Sequence, residues 1–305
     1  MKNNYELLIF SLLINVLAFS QVPSTTPLEL RAQFNGQYDF TVIGNTFNLI
    51  DNNDPSSPSC QFGTTSNATL NLQPNQDIAG AYLYWSGIGD GTYQSTINLN
   101  NNTILPDQLL VVDPNQGNQI FYFGAFTDIT ELVQNTGNDL YIVENFDLNP
   151  IIGPYCGNGI YYAGWSIVVI YEDESLEPSQ VNLFDGLSSL FFFSGLDNSS
   201  EDLVISNFLK SSIGDTKLGV GIYNGSPNLF FNEALKLNGK LRLYFDTSVF
   251  GGVYDIEFQE ETEMLFEMCF PIIRIGKLIK HVIIARFYFI FYIITSTFNS
   301  YICTG

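Results

Sequence analysis

Between Arg31 and Lys210 the chain has no lysine or arginine, although twenty aspartates and glutamates fall in that interval. A stretch so short of positive charge offers phosphate groups no basic patch, which argues against nucleic acid as a partner. Its carboxylates are expected to sit in water, to accept backbone N–H bonds at turns, or to ligate a cation. Histidine is as scarce, with His281 the only one, so catalysis by a histidine-activated nucleophile has little to stand on. No phosphate-cradling loop of the P-loop or dinucleotide type occurs, and none of Cys60, Cys156, Cys269 and Cys303 has CxxC spacing. Zinc sites and redox dithiols are therefore unsupported.

What is present is apolar and acidic: 305 residues, 46% hydrophobic, with a formal net charge of -20. That length and content can bury a substantial core, as one large β domain or two smaller ones. Residues 1–20 read as a secretory signal, with Lys2 ahead of an apolar run from Leu7 to Phe19 and a small-residue exit at Ala18-Phe19-Ser20. Export then makes Cys60 and Cys156 natural disulfide partners, closing a loop that the entropy model values at roughly 4–5 kcal/mol. The alternative is that both are free buried thiols.

The organising stretch is Tyr155 to Asp173. Its second half, Gly164 to Tyr171, is β-branched and aromatic and apolar on both faces at period two apart from Ser166, as a central strand requires. Ala79 to Gly87 reads the same way, so Trp85 and Trp165 are expected in the core, with sugar stacking by Trp85 as the other reading. Short strands separated by Asx- and Gly-rich turns run from Tyr38 to Phe245. One short helix is expected at Phe126–Val133, where Asp128 and Glu131 have capping-box spacing. Val22 to Gln33 has no clear period and reads as a mobile leader or an edge. The fold class that follows is all-β: a jelly-roll-like β-sandwich with one short helix over 21–256.

Two sets of acids are candidate site residues. Asp51 and Asp54, in the Asx-rich loop from Asn45 to Pro58, are hard oxygen ligands suited to calcium, or ordinary turn formers. Glu144, Glu172, Asp173 and Asp185 read as strand-end carboxylates, which a hydrolase could set across a glycosidic bond or which simply lie in water. Residues 257–305 differ from the rest: after Glu267 no acid remains, while Arg274, Lys277, Lys280 and Arg286 all fall there. This tail reads as an out-of-frame translation or as a weak membrane anchor short of the ~20 residues a span needs. A membrane partner is expected only if the tail is genuine.

AGAYLYWSG at 79–87, FGAFTDITELV at 123–133, YCGNGIYYAGWSIVVIYED at 155–173, VNLFDG at 181–186, KLGVGIYNG at 217–225 and NEALKLNG at 232–239 together resemble the N-terminal module of large exported Bacteroidetes proteins. Many of those end in a gliding-motility-associated, type IX secretion sorting domain, which is not recognisable here after Phe250. The resemblance implies a secreted or surface-exposed β-rich protein with an adhesive role and carries no catalytic residues. The expected function is non-enzymatic: an extracellular or outer-surface module that binds surface polymers, such as polysaccharide, or proteins. The rivals are a carbohydrate-active hydrolase and a calcium-dependent carbohydrate-binding module.

Overall fold

The computed structural model describes residues 26–49, 60–113, 120–156 and 161–187 with their side chains, and further strands as backbone only. The central sheet is built from β2 (Tyr38–Thr46), β4 (Asp77–Ile88), β7 (Gln108–Val112), β8 (Tyr122–Asp128) and β10 (Ala163–Glu172), in the order β2-β10-β4-β8-β7, antiparallel throughout. A second sheet joins β3 (Thr65–Thr69), β5 (Ile97–Leu99), β6 (Asn102–Ile104) and β9 (Leu140–Glu144) in the order β3-β9-β5-β6. A third begins with β1 (Thr25–Gly36) paired to β11 (Ser179–Ser188). Backbone strands beyond Ser188 extend it: β20 (Tyr288–Thr297) pairs with both β11 and β15 (Thr216–Ile222), and β15 with β18 (Gly252–Phe258). The fold is all-β and sandwich-like. The tail run Phe287–Ile294, expected as anchor or out-of-frame text, overlaps β20.

The strands from Trp85 and Trp165 lie side by side at the centre, with the two tryptophans in register and 0% exposed. Every residue of β4 from Gly80 to Ile88 and of β10 from Ala163 to Tyr171 is buried. Continuous burial along a strand whose side chains alternate between faces means that both faces are covered. Trp165 reaches one cover, donating its indole N–H to Ser66 Oγ on β3 at 2.9 Å. Tyr84 reaches the other, donating its hydroxyl to Asp185 Oδ2 on β11 at 3.0 Å. A body of two layers, the expectation from the sequence, therefore needs a third cover on the central sheet.

Three local readings change. Phe126, Thr127 and Asp128 belong to β8, where they pair with Tyr84, Leu83 and Tyr82, and the helix starts later, at Thr130–Thr136. Asp128 still helps to start it, accepting the Thr130 N–H at 2.9 Å, but the expected capping box is replaced by a turn because the strand ladder claims its first residue. The loop expected before β10 contains a helical turn, Gly153–Cys156. Of the two readings of Val22 to Gln33, leader or edge, the structure takes the edge from Thr25 onward, where β1 is the outer strand of its sheet.

Candidate functional site

The register places the ends of the central strands together. Thr46 faces Gly164, Ala163 faces Gly87, Ile88 faces Tyr122, and Val112 faces Tyr122, so β2, β4 and β7 finish where β8 and β10 begin. On the β3 sheet the pairs Thr65–Glu144 and Asn98–Glu144 mark the same end. Four connections leave from it: 47–64, 89–96, 113–121 and 145–162. The opposite end carries Gln37 alone between β1 and β2, 70–76 between β3 and β4, the helix-bearing 129–139 between β8 and β9, and 173–178 between β10 and β11.

The loop end is fastened by specific bonds. Cys60 and Cys156 form a disulfide across 96 residues of sequence, tying the first connection to the last. Asn149 holds the same two connections together: its Oδ1 accepts the Phe62 N–H at 2.8 Å and its Nδ2 donates to the Phe62 carbonyl at 3.2 Å. In the connection 89–96, Gly89 takes φ +94° and Gly91 φ +75°, conformations that side chains oppose. The Asp90 carboxylate accepts the Thr92 hydroxyl at 2.6 Å and its N–H at 3.0 Å, and these bonds lower its pKa. Gln94 Nε2 donates to the Thr96 and Asn145 carbonyls, while Trp85 Nε1 donates to the Ser95 carbonyl at 3.0 Å. Tyr93 and Leu49 stand out from this end, half or more exposed.

The four strand-end acids are not gathered. Glu144 ends β9 at the loop end, whereas Glu172 ends β10 at the opposite end and is exposed. Asp173 is buried in the 173–178 turn, where Ser175 donates both its hydroxyl and its N–H to Oδ1 and Asn75 adds a third bond. The Ser175 bonds hold its pKa below the ordinary value. Asp185 is no strand-end acid: β11 continues to Ser188, and the carboxylate points into the interior.

There it meets the one basic side chain among the described residues. Arg31 donates Nε to Asp185 Oδ2 at 2.7 Å and Nη2 to Oδ1 at 2.9 Å, a two-point pairing. Nη2 also donates to Gln108 Oε1, and the guanidinium lies 4.3 Å from the centre of the Phe126 ring. The Asp185 bonds raise the Arg31 pKa further. Gly186 makes the arrangement possible, since a Cβ there would come within 2.7 Å of the Pro27 carbonyl where β1 bulges against β11. The sequence shows Arg31 as the last cation before a long gap and hides its partner, because 154 residues separate the two.

Asp51 and Asp54, the candidate calcium ligands, lie outside the described residues. Among the described residues no three His, Cys, Asp or Glu side chains come together closely enough to hold a metal ion. No family model, no curated protein and no solved structure matches this chain.

Proposed function

We propose that this chain is a non-enzymatic, secreted or cell-surface module that holds the loop end of its sandwich toward surface polysaccharides or proteins, in the manner of an adhesin. The observation that carries the reading is the loop end itself: four connections leave one end of the central sheet and are tied to each other there by a disulfide and by side-chain bonds. Loops on a rigid scaffold are where β-sandwiches place recognition, and fastening them before a partner arrives lowers the ordering cost of binding. The disulfide supports an oxidising destination, in line with the signal-like residues 1–20 and with the resemblance to exported Bacteroidetes modules. Of the acids a hydrolase would use, Glu144 and Glu172 lie at opposite ends, Asp185 is paired with Arg31, and Asp173, next to Glu172, is held by Ser175 and Asn75, which supports binding over glycoside hydrolysis.

A glycan array and adhesion assays with the full chain, beside Tyr93→Ala, test this. Binding that falls about tenfold in the variant supports the loop end as the contact surface. No binding to any glycan or surface, or cleavage of a polysaccharide panel, overturns the proposal.

A further inference from the structure

The four-residue turn Gly153–Cys156 places Tyr155 and Cys156 side by side in sequence, and each does something different. Tyr155 is buried, and its hydroxyl donates to the Phe121 carbonyl at 2.9 Å while accepting the Phe121 and Gly89 N–H groups at 3.2 Å each. Gly89 follows the end of β4 and Phe121 precedes the start of β8. The last regular pair of that ladder is Ile88–Tyr122. The ladder runs one bond further, with the Gly89 N–H donating to the Phe121 carbonyl at 2.8 Å, and the Tyr155 hydroxyl caps that rung from the side by accepting the Phe121 N–H. Its ring packs edge-on to Tyr122, which stacks on Tyr162. Cys156, the next residue, is bonded to Cys60 on a different connection.

A helical turn of four residues does not hold its shape alone, because nucleation costs more than so few hydrogen bonds return. Its fastening comes from Asn149 gripping Phe62 and from the covalent bridge, both of which run to the connection carrying Cys60. We infer that the Cys60–Cys156 bond is a redox latch, which seats Tyr155 between Gly89 and Phe121 in the oxidised chain and releases it in the reduced one. Formation removes two protons and two electrons from the pair of thiols, passed by thiol–disulfide exchange to a disulfide oxidant that leaves as dithiol; a dithiol reductant reverses it. The loop end is then open in a reducing compartment and closed after export. The inference rests on the export reading of the proposed function only for when the latch closes.

Hydrogen exchange on the full chain tests it, comparing the Phe121 amide with Leu83 and Val168 in the central strands, before and after dithiothreitol. Reduction is expected to speed exchange at Phe121 about tenfold or more, while Leu83 and Val168, which open only with the whole fold, stay the slowest of the set although they too quicken as the stability contributed by the bridge is lost. Oxidised Tyr155→Phe, which keeps the ring and the bridge, is expected to reproduce that local effect. Replacing Cys60 and Cys156 with serine separates this bridge from the remaining cysteines; if that variant fails to fold, reduction of the folded protein and Tyr155→Phe carry the test. Unchanged exchange at Phe121 on reduction, or oxidised Tyr155→Phe that leaves Phe121 as slow as in the parent, overturns the latch. Retention of the chain in the cytoplasm on fractionation would instead remove the export reading and leave the exchange result standing.

Discussion

The two faces of the central sheet are covered by different chemistry. Toward β3 and β9 the face presents Leu83, Trp85, Trp165 and Ile167, and the two indole N–H groups that enter it each find one oxygen, at Ser95 and Ser66. Toward β1 and β11 it presents Tyr82, Tyr84 and Phe126 around the Arg31–Asp185 pair, with Gln108 at the edge. The first face is held by area and fit, so its stability is spread over many contacts. The second is organised around one charged contact, with Gln108 and Tyr84 as its further hydrogen-bond partners. Such a contact adds little over an apolar replacement but costs heavily when half of it is removed. It also sets how β1 lies on β11, since only one alignment brings Arg31 to Asp185.

That difference can be broken on purpose. Trp165→Ala should have the largest effect, about 4 kcal/mol in chemical denaturation, because it leaves a large cavity in a fully buried site and removes the N–H that Ser66 Oγ accepts. Asp185→Ala should cost about 3 kcal/mol, toward the lower end for a severed buried pair because the Arg31 side chain is 28% exposed. Replacing the whole polar group instead, by Arg31→Met, Asp185→Leu and Tyr84→Phe together, should return stability to within about 1 kcal/mol of the parent. A triple variant as unstable as Asp185→Ala would show that the pair contributes net stability.

The smallest effect is expected from alkali and falls mainly on the tyrosine-bearing face. Burial raises the pKa of Tyr82 to about 12 and moves Tyr122 and Tyr162 up as well. A raised folded pKa means that the fold favours the neutral phenol. Its contribution is complete below the ordinary value of 10.0 and is lost as pH climbs through the raised one. The Tm should therefore be flat from neutral pH up to the ordinary phenol value of 10.0 and fall above it, with Tyr82→Phe reducing the slope. A Tm independent of pH up to 12 would place these hydroxyls in water.

Much of the architecture was legible because it rests on local pattern. Period-two runs apolar on both faces announced β4 and β10 as central strands, and Cys60 and Cys156 were read as candidates for the bridge that the structure forms. Phe126 to Asp128 misled for the opposite reason. A helix-start spacing is a preference of a few residues, and it lost to seven paired positions along β4. Asp185-Gly186 looked like a turn because Asp-Gly usually is one, yet here glycine admits the Pro27 backbone and aspartate waits for an arginine.

By itself the amino-acid order determined that this is a β-rich, acidic body with Trp85 and Trp165 inside, because alternation and side-chain type are read one residue at a time. Only the tertiary structure decided that the central sheet is covered twice, that four connections share one end, and that Arg31, the one basic residue whose side chain is described, pairs with Asp185. Each of these depends on which distant segments meet. Contact energies between them are set by register and distance, and no local window of sequence contains either.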